Sequence, residues 1–98
     1  MTEVGAGGVV ITRWAKLKRF HKDYEKLTLE HKDLVDAKLQ DLACKPMPPG
    51  LRFEKLTGYD PPVYTIHVTG NYKISMDIEG GKAWLRRVAG HDEIDRAP

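Results

Sequence analysis

The sequence predicts an α+β domain: an N-terminal strand, a helical hairpin, then a small, mainly antiparallel sheet. Three observations carry this. In the first half, Leu17, Phe20, Tyr24 and Leu27 recur at helical spacing, with Arg19, Lys22, Asp23 and Lys26 between them. In the second half the period falls to two. Tyr64, Ile66 and Val68 alternate with Thr65 and His67, and Tyr72, Ile74, Met76 and Ile78 alternate with Lys73, Ser75 and Asp77. Between the halves stand Pro46, Pro48, Pro49 and Gly50, a run that ends a helix.

Each element has its own signal. Val9–Lys16 carries β-branched residues and Trp14 and is expected to form the first strand. The Phe20 stripe gives the first helix. Thr28 can cap a second, whose apolar positions are Leu34, Val35, Ala37, Leu39, Leu42 and Ala43. Glu30 and Asp33 in its early turns suit the helix dipole. Leu51–Leu56 reads as a strand and Thr57–Pro62 as a loop. Val63–Val68, Tyr72–Ile78 and Lys82–Ala89 read as three further strands, turned by Gly70-Asn71 and Gly80-Gly81. In Lys82–Ala89 the alternation is irregular, so the sequence does not decide which of Arg86 and Arg87 faces a groove. The helices are expected to cover one face of the sheet. The other face is expected to be polar and to present Thr65, His67, Lys73 and Ser75.

Size and composition limit the possibilities. At 98 residues the chain is expected to form one domain over 9–98, after a flexible glycine-bearing leader over 1–8. At this length only about two thirds of the unfolded surface can be buried, so a surface groove is a more natural site than a deep pocket. A hydrophobic share of 41% against 31% charged argues against disorder. A net charge of +2 does not by itself point to nucleic acid. Arg13, Lys16, Lys18, Arg19 and Lys22 nevertheless run together before Asp23, as either a solvated helix edge or a phosphate-contacting patch. Cys44 stands alone, which excludes an intrachain disulfide and suits a reducing cytoplasm. With no base beside it, packing is its expected role. No apolar run approaches the ~20 residues that span a membrane, and no signal peptide is visible. Gly5, Gly7 and Gly8 lack the following Gly-Lys-Ser/Thr of a phosphate loop.

Four stretches carry a family resemblance: Phe20-His-Lys-Asp-Tyr-Glu-Lys-Leu27, Leu51-Arg-Phe-Glu-Lys-Leu-Thr-Gly58, Val63-Tyr-Thr-Ile-His-Val-Thr-Gly-Asn-Tyr-Lys-Ile74 and Val88-Ala-Gly-His-Asp-Glu-Ile-Asp-Arg96. In content and order they resemble the RelE/ParE superfamily of bacterial toxins from type II toxin–antitoxin modules. The resemblance implies a cytoplasmic toxin silenced by a cognate antitoxin, with no cofactor and no metal. Its branches differ. A RelE-like toxin is a metal-independent endoribonuclease, an mRNA interferase that cuts messenger RNA on the ribosome and inhibits translation. A ParE-like toxin inhibits DNA gyrase without nuclease activity. A non-toxic binding module of the same fold is the third possibility.

Metal-independent RNA cleavage uses the substrate's 2′-hydroxyl as nucleophile and needs a base, an acid and positive charge at the phosphate. The resemblance places His91 in the family's C-terminal histidine motif, as acid or base. It places His67 on the groove-facing strand, as base or phosphate contact. It places Lys73 where the family usually has arginine, as a catalytic cation. Arg52, Lys55, Arg86, Arg87, Lys18 and Arg19 are the candidate RNA contacts, and Asp92 is a supporting group that can orient His91. Glu93 is expected to cap a final turn. His91-Asp92 alone is too little for a metal site. His21 and His31 are expected to face solvent. Of the possible stacking rings Trp14, Trp84 and Tyr64, Trp84 is expected in the core and Tyr64 on the apolar face. Related toxins carry an aromatic where this chain has Asp95, an acid that repels RNA. From Leu51 onward seven basic residues balance seven acidic ones.

Overall fold

The architecture is that of a computed structural model describing residues 10–44 and 48–98. Its elements run β1 (Arg13–Lys16), α1 (Lys18–Glu25), α2 (Leu29–Leu42), a single 3-10 turn (Pro49–Leu51), β2 (Glu54–Leu56), β3 (Val63–His67), β4 (Tyr72–Glu79), β5 (Lys82–Gly90) and α3 (His91–Arg96). The five strands form one sheet in the order β1-β5-β4-β3-β2. Strands β2 to β5 are an antiparallel meander, and β1 returns to pair with β5 in parallel. The α+β fold expected from the sequence is therefore the one observed.

The helical hairpin forms where the stripe and cap place it. Leu17 follows β1 and is the N-cap residue of α1, its N–H donating to the Leu85 carbonyl at 3.0 Å. Phe20 is fully buried, and the Tyr24 hydroxyl donates to Asp36 on α2 at 3.0 Å. The Thr28 side chain caps α2 by accepting from the His31 N–H at 3.2 Å, as its residue type predicts. Val35, Leu39 and Leu42 then lie on one face of α2 and pack with Phe20, Leu51, Ile66, Ile74, Met76, Leu85 and Val88. Burying a Leu or Ile side chain is worth ~1.5–3 kcal/mol, so this layer is the main source of stability.

The turns follow their glycines. Gly80 and Gly81 have φ of 59° and 79°, and Glu79 pairs with Lys82 across them. Positive φ at both central residues matches the right-handed strand twist and is nearly free only for glycine. Opposite Ser75 and Met76 the register of β5 slips by one: Ser75 pairs with Arg87 but Met76 with Leu85. Arg86 is the extra residue of this bulge. The slip lets Leu85 and Val88, three apart, both enter the core, and it explains the irregular alternation of this strand.

Several expectations need correction. The first strand is only Arg13–Lys16, and strand pairing over Leu51–Leu56 begins at Glu54, after the 3-10 turn. Cys44 is exposed rather than packed. The second sheet face is not open throughout: α3 packs across β4 and β5, where Ser75 is fully buried and Lys73 nearly so, and Thr65 on the neighbouring β3 is fully buried as well. The apolar plug is Ile94, whose side chain is wholly buried. The expected leader over 1–8, Val9 of the expected first strand, and Pro46 lie outside the described residues.

One ion pair joins the layers. Arg87 Nε donates to Asp23 of α1 at 2.9 Å, and its Nη2 donates to Asp23 at 3.1 Å and to Glu93 of α3 at 2.8 Å. Asp23 also accepts from the Val88 N–H at 3.2 Å, closing a stretch of β5 that β1 does not pair. Removing one partner of such a buried pair leaves the other charge without compensation. Asp23→Ala is expected to lower the unfolding free energy by about 3–5 kcal/mol in urea titrations. Arg86→Ala, which breaks the half-exposed pair with Asp77, is expected to cost under about 1 kcal/mol. Equal losses in the two variants would contradict this account.

Candidate functional site

The open end of the β3–β4 hairpin gathers the chemistry. His67 and Lys73 face each other across β3 and β4, and Tyr72 pairs with Gly90 at the end of β5. The next residue is His91, whose N–H donates to the Asn71 carbonyl at 2.7 Å. Residues from three strand ends thus meet around one turn. Arg52 approaches from the segment before β2 with a φ of 52°, a left-handed conformation that an L-residue adopts at a cost of ~1–2 kcal/mol.

The electrostatics follow from this arrangement. The His67 imidazole is held below its ordinary value of 6.5, first by burial, then by the positive charges of Lys73 and Arg52; Glu54 opposes them, and His91 adds to the depression. His67 is therefore neutral at pH 7 and able to accept a proton. Lys73 Nζ donates to Asp95 at 2.9 Å, and the other Asp95 oxygen lies 3.9 Å from His91 Nδ1. Asp92 lies 3.4 Å from His91 Nε2. Asp95 therefore stands between the two candidate catalytic groups on its side of the site.

Beside this end lies a buried polar row. Thr65, Ser75 and Arg87 are direct neighbours across β3, β4 and β5. The Thr65 and Ser75 hydroxyls are buried without a hydrogen-bond partner among the described residues. A buried hydroxyl left without a partner typically costs ~1–3 kcal/mol. Arg87 is held above its ordinary basicity, chiefly by its hydrogen bonds to Asp23, and its Nη1 donates to the Ala97 carbonyl at 3.3 Å.

The remaining candidates are placed as follows. Lys55 is exposed on the edge strand β2, opposite Tyr64. Lys18 and Arg19 line a groove of about 350 Å³ with Leu17, Arg86, Arg87 and Pro98, and no histidine is among its lining residues. Arg86 is bound to Asp77 at 3.0 Å. Glu93 holds Arg87 rather than capping a turn. Trp84 is not a core residue; it lines a groove of about 620 Å³ with Leu17, Pro62 and Asp77, and Lys82 sits 4.0 Å from its ring. Tyr64 stacks on Phe53 at 5.4 Å, and His31 lies 5.0 Å from the Tyr72 ring instead of facing solvent freely, while His21 is exposed. Among the described residues no group of three or more His, Cys, Asp or Glu could hold a metal ion. Sequence reading missed Asp23 and Glu54. Asp23 carried a weak signal as the acid ending the basic run; nothing local marked Glu54.

His67 provides a direct check. Its titration midpoint by NMR is expected below 6.5 and is expected to rise in Lys73→Met, which removes the strongest neighbouring charge. The sign for stability is fixed. Because protonation is disfavoured in the folded state, the neutral-His67 contribution is intact above about 6.5 and is lost as the pH falls below it. A midpoint at or above 6.5 would contradict the geometry.

No protein-family model matches the chain, and no curated protein matches it. Solved structures do. A copper-bound mutant toxin from Helicobacter pylori superposes with a TM-score of 0.71 at 22% identity, over 86% of this chain and 99% of that one. YafQ from E. coli strain BL21(DE3) superposes at 0.70 with 14% identity, over 83% and 94%. The RelB–RelE antitoxin–toxin complex from Methanococcus jannaschii gives 0.66 at 25% identity, over 85% and 98%. Among the described residues no helix is long and apolar enough to cross a membrane. The resemblance read from the sequence thus extends to three dimensions: the chain has the fold of the RelE/ParE toxin superfamily.

Proposed function

We propose that this chain is the toxin of a toxin–antitoxin pair and acts as a metal-independent endoribonuclease on messenger RNA, inhibiting translation. The observation that carries the reading is the meeting of His67, Lys73 and His91 at one end of the sheet, with Arg52 within electrostatic reach of His67. A base, an acid and two cations in one place are the requirements of transesterification at a phosphodiester.

The chemistry divides between the histidines. Neutral His67 takes the proton of the 2′-hydroxyl, and the freed oxygen attacks the adjacent phosphorus. The bond from phosphorus to the 5′ oxygen breaks, and His91 gives that oxygen a proton. The products are a 2′,3′-cyclic phosphate and a 5′-hydroxyl end. Lys73 and Arg52 balance the charge that builds on the phosphoryl oxygens. Lys73 does so as a point charge, not as a bidentate fork. Asp92 and Asp95 orient the His91 ring. The depressed basicity of His67 suits the role of base and leaves that of acid to His91.

The partners follow from the same reading. The RelB–RelE structure is a complex of a toxin with its antitoxin. A cognate antitoxin is accordingly the first partner of this chain, and messenger RNA, engaged on the ribosome in the cytoplasm, is the second.

His91→Ala and His67→Gln are each expected to lower RNA cutting by about 10²–10⁴-fold, the usual contribution of a general acid or base, with thermal unfolding little changed. The measurement is primer extension on messages from cells expressing each variant, with mapping of cyclic-phosphate ends. Uncut messages in cells arrested by the unmutated chain would remove the nuclease reading; DNA damage signalling in those cells would point to gyrase.

A further inference from the structure

Beyond His67, Lys73 and His91, the terminal helix α3 has an effect of its own on the sheet beneath it. Two cations on that face, Lys73 and Arg87, are 7% and 8% exposed. Each is engaged by a carboxylate of α3: Asp95 on Lys73 at 2.9 Å and Glu93 on Arg87 at 2.8 Å. Between these pairs in the register lie Ser75 and its neighbour Thr65, whose hydroxyls are fully buried and lack a hydrogen-bond partner among the described residues. Neighbours across a sheet are about 5 Å apart, so two cations and two hydroxyls share a patch the size of a phosphodiester unit or two. The helix that packs over β4 and β5 brings the wholly buried Ile94 to this face, with Glu93 and Asp95 beside it.

We propose that α3 is an internal lid whose carboxylates hold the place of RNA phosphates, and that lifting it opens an oxyanion-binding surface formed by Lys73, Arg87, Thr65 and Ser75. The closed state satisfies the cations and leaves the hydroxyls without partners. The open state offers the hydroxyls and the cations to the phosphate oxygens of a single strand. The Arg87 donors now taken by Glu93 and the Ala97 carbonyl, the Lys73 ammonium and the hydroxyl pair together offer a phosphodiester more hydrogen bonds than the α3 carboxylates accept. Arg87 keeps Asp23 when Glu93 leaves, so the sheet edge stays closed while the lid moves. His91 is the first residue of α3, and its N–H is held by the Asn71 carbonyl at 2.7 Å, so it is the hinge about which the lid lifts and stays at the site. The inference rests on the ribonuclease reading for its choice of RNA as the anion.

The test separates binding from cutting. The probe is a single-stranded 2′-O-methyl RNA of about twelve nucleotides, which lacks the nucleophile and cannot be cleaved. The variant Glu93→Gln/Asp95→Asn is expected to bind it about tenfold more tightly, with a salt dependence steeper by about 0.7 for each additional phosphate neutralised. The control Glu25→Gln/Glu30→Gln changes net charge equally on the exposed helices and is expected to change binding far less. Adding Lys73→Met to the lid variant is expected to cancel the increase. If the lid variant fails to fold, hydrogen exchange on the unmutated chain decides. The Ala97 amide, bonded to the Glu93 carbonyl at 2.8 Å, is expected to lose protection when the RNA binds. Equal increases in variant and control, unchanged or greater Ala97 protection with RNA bound, or no binding by any of these proteins would overturn the proposal. A chain that binds through this surface and yet cuts no message would uphold the lid and remove the nuclease.

Discussion

The buried Arg87 guanidinium is the constraint around which the molecule is arranged. A charge in that position is tolerable only when nearly every donor is satisfied. Here Nε and Nη2 are held by Asp23, Nη2 also by Glu93, and Nη1 by the Ala97 carbonyl. Those acceptors come from α1 and from α3 and the residue after it, while the guanidinium comes from β5. One side chain therefore fixes where the hairpin helix ends its contact with the sheet and where the terminal helix lies. Arg86, the neighbouring residue, has a half-exposed partner and fixes nothing comparable.

That arrangement gives the sheet two unequal faces. One is an ordinary apolar layer under α1 and α2. The other carries Lys73, Ser75, Thr65 and Arg87, a set that water would normally cover, under a six-residue helix. At its rim lies His67, whose basicity is lowered first by burial and then by the positive charges of Lys73 and Arg52. Catalytic function needs charged groups of one sign brought close, which works against stability. The carboxylates of Asp95 and Glu93 offset that repulsion within the chain.

Much of this was legible in the residues. The helical stripe, the Thr28 cap, the paired glycines and the alternation in β4 each follow from local chemistry, and each gave its element. The candidate site was legible mainly through likeness: the placement of His67 and His91 came from motifs, and their closeness from a turn that only pairing register reveals. The rest had no local signal. The bulge at Arg86 adds one residue and reverses the facing of everything after it, so the strand cannot be read by period two. The 3-10 turn ends on Leu51, an apolar residue that suits the start of a strand equally well, so nothing local showed that pairing waits until Glu54. Ser75 and Lys73 lie on a strand that α3 packs against, and the helical run of α3 is too short to show periodicity.

The parallel pairing of β1 with β5 joins residues about seventy positions apart, Arg13 with Lys82 and Lys16 with Leu85. Everything between must already be ordered enough to bring the two together, since closing so long a loop is entropically unfavourable and few contacts offset it early. The hairpins of β3, β4 and β5 close over short distances and need no such wait. On loop length alone, the meander of β3, β4 and β5 is expected to form before β1 docks against β5, so the last contact to close is the one that seals the edge of the sheet.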